Sequence, residues 1–546
     1  MVKRVALTLA ILLLSTILSS CIYKEKSKKQ IINDHRTIIY MTESLPEGFS
    51  STLKGEEKNT NIYKGLFEGL LGRDEDGDIT LALAEDYDVS DDGLQYTFTL
   101  RKDIYYSNGE KITSGDFLRF FQEVFHSSQE DKLSEDLRMV YGVLDYHKEN
   151  TSFEGVAISA PTDDTLIFRL NYKDESFLEA LAKEEYYLRP IEETVALKEA
   201  YGAINYTGAF LIEDFDDKEL TLKRNPYYYE SENKSKSDIL IRLVHGGEEA
   251  LSSFNIGLCD IFYNPPLNQI SYLEKQGAAK KVFSGWTYGI KFNSDTTDTA
   301  FRRAIEKILY SSNAFYTLDG LEFSMLSYGN SFYPEKNYKD DSVFVSSTKE
   351  NTMEKSYAER QVDVGMEYLR ISNKEDKKKL FILSPDGERF RKIGSYIEKS
   401  LKELLEIQVS VKYVQKDKLL EESRREDYSM ILSSVEALND EAFYFSFGNI
   451  NNPLFIEDEK YKSLIEGYDK VSIQDKLEIN NSLKGYIEDN IIFLPLFYDL
   501  NVVCKSDNIQ ELVFDKEGRL ILKELNKSTG DDDLQDINKP VRKSIF

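Results

Sequence analysis

The sequence predicts an α/β protein in which a largely parallel sheet is covered by helices. A chain of 546 residues with 41% hydrophobic residues can bury a large core and divide into two or three lobes. In the first half, an alternating strand pattern is followed directly by an amphipathic helix pattern. In the second half, strands and helices alternate over residues 380–432, an order typical of a parallel sheet with helical cover.

The amino terminus has the pattern of a cleaved lipoprotein leader. Lys3 and Arg4 precede an apolar run over residues 5–18, and a small residue stands directly before Cys21. This arrangement resembles the bacterial lipobox, and the apolar run is shorter than the ~20 residues that a membrane span needs. We therefore expect residues 1–20 to be a signal peptide and Cys21 to carry a lipid anchor. An uncleaved membrane anchor is the alternative.

The balance of charge argues against some partners. The formal net charge is −27 at pH 7, and nucleic-acid binding depends instead on neutralising phosphates with lysine and arginine.

Residues 21–36 have the opposite character and contain several lysines. We expect them to form a basic tether beside anionic headgroups. Residues 526–546 carry three consecutive aspartates and few apolar residues, which predicts a disordered acidic tail.

The first predicted strand and helix lie over residues 94–125. Apolar and polar side chains alternate from Leu94 to Arg101, which is the period of a half-buried strand. Thr113, with Asp116 three residues later, predicts the start of the helix. The apolar residues that follow fall on one helical face and are predicted to be core: Phe117, Phe120, Phe121, Val124 and Phe125.

The second half contains the clearest indication of a parallel sheet. Residues 380–383, 409–413 and 428–432 are predicted strands, and a long amphipathic helix follows the turn at residues 385–387. Ligands of such sheets bind beyond the carboxyl ends of the strands. We therefore expect residues 433–442 to lie where a ligand can bind.

Catalytic and metal-binding signatures are missing from the sequence. The four histidines are scattered without metal-ligand spacing, and there is no HExxH, CxxC, GxSxG or phosphate-binding glycine loop. We therefore predict no metal, no cofactor and no enzymatic activity.

Besides Cys21, the cysteines are Cys259 and Cys504. The sequence leaves open whether these two pair or remain separate buried thiols.

An ordered series of motifs runs along the chain. The first covers residues 62–71, and the longest covers residues 90–117 with its strand and helix start. Shorter motifs follow at residues 155–156, 164–166, 207–210, 222–228, 286–293 and 301–305. Together they resemble the oligopeptide-binding proteins of ABC importers, which are bacterial solute-binding proteins of family 5. The resemblance spans roughly residues 37–525 and identifies a divergent member.

The resemblance implies a two-lobed periplasmic-binding-protein fold of type II, similar to cluster C, with a hinge and an extra subdomain. It would place residues 37–60, 190–285 and 495–525 in one discontinuous lobe. Residues 61–189 would form the extra subdomain, and residues 286–494 the opposing lobe. Two connections would then cross between the lobes and permit closure on a trapped ligand.

The resemblance also implies a function. Such a protein captures an oligopeptide-like ligand and hands it to the permease of an ABC importer, and the lipid anchor would hold it, as a monomer, on the extracytoplasmic side of the membrane. In the family an extended peptide is bound largely through its backbone, with side chains in hydrated pockets. Two other classes remain open. One is a sister binding protein for a metal chelate, an oligosaccharide or a signalling peptide, and the other is a surface hydrolase on the same scaffold.

Four residues are carried over as ligand-contacting candidates from the family's ligand-facing segments: Thr42, Glu43, Tyr263 and Asn264. Trp286 and Tyr288 are further candidates, as aromatic residues that can line the cleft. Each has a structural alternative. Glu43 can be a solvated loop acid and Asn264 a turn residue before two prolines. Trp286, the only tryptophan, can equally be a core aromatic.

The chain departs from the family just after the strand at residues 428–432. Peptide binders usually carry a tryptophan there and, three residues on, an aspartate that pairs with the peptide α-ammonium, whereas Val435 and Leu438 occupy these places. A buried ammonium without a carboxylate partner is costly. We therefore hypothesise that Glu436 or Asp440 takes over this role. The alternative is that the protein does not bind free peptide amines.

Overall fold

The structure, a computed structural model, describes most of the chain between residues 36 and 528. The described residues are 36–46, 59–75, 77–126, 137–148, 150–174, 176–190, 197–230, 237–312, 326–328, 355–373, 379–424, 428–437, 440–466, 468, 473–515 and 518–528. The predicted signal peptide, Cys21 and the basic tether before Arg36 lie outside these ranges.

Strands occur along the whole described chain. In chain order they are β1 (Ile38–Thr42), β2 (Leu71–Arg73), β3 (Ile79–Leu81), β4 (Ala84–Val89), β5 (Gln95–Leu100), β6 (Ile158–Thr162), β7 (Thr165–Arg169), β8 (Phe210–Phe215), β9 (Glu219–Arg224), β10 (Ile239–Leu243), β11 (Ile261–Tyr263), β12 (Ala279–Phe292), β13 (Leu326–Tyr328), β14 (Lys379–Pro385), β15 (Gln408–Val414), β16 (Met430–Glu436) and β17 (Phe493–Lys505).

Helices alternate with these strands. They are α1 (Thr60–Leu66), α2 (Ser114–His126), α3 (Val143–His147), α4 (Ser176–Leu181), α5 (Leu197–Ala200), α6 (Gly247–Asn255), α7 (Leu267–Lys275), α8 (Thr299–Ser311), α9 (Lys355–Ile371), α10 (Glu388–Leu405), α11 (Leu419–Ser423), α12 (Asp440–Gly448), α13 (Glu459–Ile465) and α14 (Ile473–Asn490). Short 3₁₀ helices lie at Phe153–Gly155, Glu184–Tyr186, Tyr201–Ala203, Lys416–Lys418 and Leu522–Glu524.

One 11-stranded sheet dominates the molecule, in the order β15-β14-β16-β12-β17-β11-β1-β10-β9-β8, with β13 beside β17. At one end, β1 pairs in parallel with both β10 and β11. At the other end, β14 pairs in parallel with both β15 and β16. We call β1 and β8–β11 the first half-sheet, and β14–β16 the second half-sheet.

The strands β12 and β17 join the two half-sheets. They pair with each other antiparallel along most of their length. The carboxyl end of β17 also pairs with β11, whereas the later part of β12 pairs with β16. Each of the two strands therefore runs through both halves of the molecule.

The predicted strand and helix over residues 94–125 are confirmed. Strand β5 buries alternate residues, as the period predicted, and belongs to a separate four-stranded sheet in the order β4-β5-β7-β6. Helix α2 begins at Ser114, where the Thr113 backbone N–H donates to Asp116 Oδ2 at 2.7 Å. The five apolar residues of its stripe are all buried.

The predicted alternation over residues 380–432 is also confirmed, with one correction. The helix between β14 and β15 buries Ile393, Ile397 and Leu401, as the pattern predicted. However, residues 433–436, which we expected to lie beyond the last strand, are its final four residues. They stay in the strand because β12 continues to pair with them as far as Glu436.

The apolar cores follow this division of the chain. One cluster draws only on residues between Leu70 and Leu188 and lies around the four-stranded sheet. Two clusters involve the first half-sheet, and two involve the second half-sheet. Each part of the molecule therefore has apolar packing of its own.

The two described cysteines, Cys259 and Cys504, are free and buried, so the structure has two separate thiols there. Burial raises the pKa of each thiol to about 12. Within the described part of the chain, no helix is long and apolar enough to cross a membrane.

The start of the predicted acidic tail contacts the body of the protein. Lys527 pairs with Ile509, and its Nζ donates to Asp260 Oδ2 at 2.7 Å and to the Thr37 carbonyl at 3.0 Å. The ordered body therefore extends to Ser528, the last described residue. Residues 529–546 lie outside the described part.

Candidate functional site

The carboxyl ends of three parallel strands meet at one edge of the second half-sheet. The chain leaves β14 through α10 and enters β15 on one side, and it then returns to β16 on the other side of β14. This reversal makes the edge between β14 and β16 a topological switch point, which is where ligands of such sheets bind. Arg389 follows β14 at this edge, and Glu436 ends β16.

Three predicted site residues lie together at this edge. Trp286 is directly opposite Glu436 across β12 and β16, and Tyr288 is directly opposite Ser434. Residues that are opposite, or two apart, on paired strands point to the same face of a sheet. Trp286, Tyr288 and Glu436 therefore share one face, and Trp286 and Glu436 are both half-buried. Lys416 Nζ lies 5.8 Å from the centre of the Trp286 ring.

Val435 points to the opposite face. It is 2% exposed and packs in a core cluster with Phe283 and Phe443. Val435, which the resemblance places at the tryptophan position, is therefore a core residue in this structure. Leu438 lies outside the described residues, and so does the side chain of Asp440, whose backbone begins α12.

Tyr288 is largely buried beside a charged pair. Its ring packs edge-on against Phe390, with ring centres 5.3 Å apart. Burial raises the pKa of the Tyr288 hydroxyl, and the nearby Asp499 carboxylate raises it further. Arg389 forms a salt bridge with the same Asp499. Tyr288 thus connects the Trp286–Glu436 face to a polar network at the switch point.

The other predicted site residues lie on the first half-sheet. Because β1 and β11 are parallel, Thr42 and Tyr263 both stand at carboxyl ends on one edge. Thr42 is half-buried, and the next residue, Glu43, is exposed. The Tyr263 ring centre lies 6.1 Å from that of Tyr40, and burial raises the pKa of Tyr263 well above its ordinary value.

Asn264 has a structural role at this edge. It adopts a left-handed conformation with φ of 52°. Its backbone N–H donates to the Val502 carbonyl at 2.7 Å, and its Oδ1 accepts from the Val502 N–H at 3.0 Å. Its Nδ2 donates to Asn501 Oδ1 at 3.3 Å. These bonds extend the pairing of β11 with β17.

Sequence reasoning missed three polar residues near the switch point. Asp499 is the only acidic residue of β17, which is otherwise almost entirely buried. A lone carboxylate in an apolar strand is a signal that could have identified it, because buried charges require partners. Its partners, Arg389 and Ser284, carry no comparable signal because both lie far from it in the sequence.

The chain matches the family model for bacterial extracellular solute-binding proteins, family 5 Middle, over residues 78–450. It is 20% identical over 554 residues to the oligopeptide-binding protein OppA of Bacillus subtilis, covering 95% of this chain and 98% of that protein. It is 30% identical over 263 residues to AliB of Streptococcus pneumoniae, an oligopeptide-binding protein, covering 44% of this chain and 38% of that protein.

Solved structures with the same fold cover nearly the whole chain. The periplasmic murein tripeptide binding protein MppA, in its unliganded open form, matches with a TM-score of 0.73 and 15% identity, over 91% of this chain and 98% of that chain. Haemophilus influenzae OppA in complex with the peptide RPPGFSPFR matches with a TM-score of 0.60 and 16% identity, over 91% of this chain and 100% of that chain. The predicted two-lobed periplasmic-binding-protein fold is confirmed.

Proposed function

The chain belongs to family 5 of the bacterial extracellular solute-binding proteins, and from this premise we propose that it captures oligopeptide-like ligands and delivers them to an ABC import permease. The observation that carries the proposal is the grouping of Trp286, Tyr288 and Glu436 on one face at the switch point. An aromatic pair beside a carboxylate suits a peptide, because the rings contact its apolar parts and the carboxylate favours its ammonium.

We assign the ligand to a cleft between two lobes. The first lobe comprises residues 37–60, 190–285 and 495–525, the opposing lobe residues 286–494, and the extra subdomain residues 61–189. Two features support this division. The apolar cluster confined to Leu70–Leu188 gives the subdomain a core of its own, and β12 and β17 supply two connections that cross between the lobes.

Glu436 is the proposed partner of the peptide α-ammonium. It is half-buried, and it lies opposite Trp286 at the end of β16. The family's usual aspartate position holds Leu438, so an acid at a shifted position is needed if the ammonium is to be paired. Asp440, at the first residue of α12, is the other candidate.

Calorimetry with a peptide and with its N-acetylated form tests whether the protein binds the peptide α-ammonium. We expect acetylation to weaken binding to the wild-type protein by about tenfold or more, since tenfold corresponds to about 1.4 kcal/mol. The difference should largely disappear in Glu436→Gln and persist in Asp440→Asn. In the matched control Glu388→Gln, acetylation should weaken binding as much as in wild type, because the Glu388 side chain is 76% exposed. Equal affinities of the wild type for both peptides would show that the amine is not bound.

A second candidate is a sister binding protein whose ligand has no free amine. The replacement of the family's tryptophan and aspartate by Val435 and Leu438 favours it. Native mass spectrometry of the protein as purified separates the two candidates. A distribution of short peptides supports peptide import, whereas one defined non-peptide mass supports the second candidate, a binding protein for a ligand without a free amine.

Cys21 is the proposed lipid anchor that keeps the protein, as a monomer, on the extracytoplasmic face of the membrane. We expect Cys21→Ala to move the protein from the membrane fraction to the soluble fraction, because the anchoring acyl chains are lost. Peptide affinity should be unchanged, since the tether separates the anchor from the lobes. Retention of a cleaved Cys21→Ala protein in membranes would contradict the assignment.

A further inference from the structure

The pairing between β12 and β17 is interrupted where the two strands pass from one half-sheet to the other. Phe283 pairs with Leu500 and Thr287 with Tyr498, so three residues of β12 stand against Asp499 alone. The middle one, Gly285, has φ of 87°, and its carbonyl accepts from the Ala437 N–H at 2.7 Å. Before the break, residues 279–283 of β12 pair regularly with β17; after it, the pairing resumes at Thr287 and shifts register once more between Tyr288 and Gly289.

The residue opposite the break is a buried carboxylate. Asp499 is 7% exposed, and a buried charge persists in a protein only when it is paired and hydrogen-bonded. Its Oδ2 accepts from Ser284 Oγ at 2.9 Å, and this hydrogen bond joins β17 to β12 at the break. Its Oδ1 accepts from the Arg389 guanidinium.

Arg389 connects this break to the switch point. It is the second residue of α10, directly after β14, and its side chain is 34% exposed. The neighbouring Phe390 packs against Tyr288, which lies two residues beyond Trp286 on the same face of β12. The Arg389–Asp499 pair therefore joins the break in the ladder to the helix that begins at the edge where the ligand is proposed to bind.

We propose that Arg389 and Asp499 are positioning residues that couple the hinge to the ligand site. The pair holds the start of α10 against the break between β12 and β17, so a ligand that contacts the switch point acts on the angle between the two half-sheets. This inference rests on the proposed binding function, but its structural part, control of the interlobe angle, also applies to the protein without ligand.

The coupling follows from the geometry of the break. Three residues of β12 stand against a single residue of β17, which gives the pairing of these two strands freedom to rotate at the break, whereas the paired segments before and after it move as units. A contact that crosses the break restricts that rotation. A ligand shifts the angle only through a differential interaction with the two arrangements, and the Arg389–Asp499 pair supplies a route for that interaction.

Four variants test the proposal: Asp499→Asn, Arg389→Gln, the double variant, and Asp386→Asn as matched control. The Asp386 pair with Arg391 lies at the start of the same helix, but its side chains are 48% and 55% exposed. Urea unfolding of each variant establishes that it is folded under the conditions used. Two readouts then follow: the emission of Trp286 with the radius of gyration in the absence of ligand, and the affinity for a peptide that binds wild type.

Without ligand, we expect both single variants to shift the emission of Trp286 and to change the radius of gyration. In Asp386→Asn both quantities should equal those of wild type. Peptide affinity should fall about tenfold in each single variant, a typical size for coupling between sites. The double variant should be no weaker than either single variant, because the two residues act as a unit.

Unchanged emission and radius of gyration in folded Asp499→Asn and Arg389→Gln would overturn the coupling. Affinities within twofold of wild type, or losses that simply add in the double variant, would overturn it as well. If the wild-type protein binds no peptide, the proposed function fails, and the ligand-free readout still decides whether the pair controls the hinge.

Discussion

Lys291 places a primary amine in an apolar part of β12, where its Nζ donates to the Phe455 carbonyl at 2.6 Å. Burial lowers the pKa of Lys291 to about 8, against the opposing effect of Asp295 and Glu457. An unfolded lysine keeps its ordinary pKa near ~10.4. Between pH 8 and that value the unfolded state therefore binds more protons, so the contribution of Lys291 to stability rises with pH.

We predict that the stability of wild type relative to Lys291→Met increases between pH 8 and pH 10, by at most about 1.4 kcal/mol per pH unit. Urea unfolding of both proteins at several pH values measures this difference. Lys462→Met is the control, because the Lys462 side chain is 43% exposed, and its difference from wild type should stay constant. A constant difference for Lys291→Met would show that the folded amine titrates normally.

Single residues of the site could be predicted only where the local pattern carries the information. Glu436 was identified because it lies near the end of a recognisable strand, and the structure places it opposite Trp286. The Arg389–Asp499 pair joins residues 110 positions apart. Neither periodicity nor turn chemistry specifies such a pair, since it depends on how the whole sheet is assembled.

At the scale of elements, a charged network fastens α1 to the carboxyl-terminal region. Lys64 Nζ lies 2.6 Å from Glu184 Oε1 and 3.0 Å from Asp515 Oδ2. Arg519 Nε lies 3.2 Å from the same Asp515 oxygen. Burial opposes ionisation of Glu184, but Lys64 and Arg519 outweigh it and lower the pKa of Glu184 to about 2.

We predict that Glu184→Gln destabilises the protein by about 1.5–3 kcal/mol at pH 7, the usual contribution of a hydrogen bond to a charged group. Because the folded pKa lies below the unfolded one, this contribution is complete above pH 4.5 and is lost as the pH falls toward 2. Urea unfolding at pH 7, 5 and 3 should show the gap to wild type narrowing. A gap that is the same at pH 7 and pH 3 would contradict the charged network.

Elements in which apolar residues recur at a regular spacing could be predicted from the sequence. The long strands that link the two half-sheets could not. The alternation in β5 and the apolar stripe of α10 each reflect burial against one neighbouring layer. Strand β12 is different, because it runs for 14 residues and pairs with β17 on one side and β16 on the other. Its residues are mostly buried on both faces, so no alternation marks it in the sequence.

At the scale of the whole molecule, β12 and β17 link the two half-sheets of the described chain, because β12 pairs with β16 of the second half-sheet and β17 pairs with β11 of the first. Rotation about their break would bring the switch-point edge, with Trp286, toward the edge that carries Thr42 and Tyr263. Two-lobed proteins that close in this way become more compact when ligand is bound. The arrangement of the sheet therefore leads to a prediction about overall shape.

We predict that adding a peptide that binds lowers the radius of gyration measured by small-angle scattering. Calorimetry with the same peptide measures the occupancy of the site independently of the shape of the molecule. Both signals should saturate at the same peptide concentration, because closure and binding are linked. The Glu436→Gln variant, if it still binds at higher concentration, should compact by the same amount once saturated. An unchanged scattering profile at a peptide concentration where calorimetry shows saturation would show that this protein binds its ligand without closing.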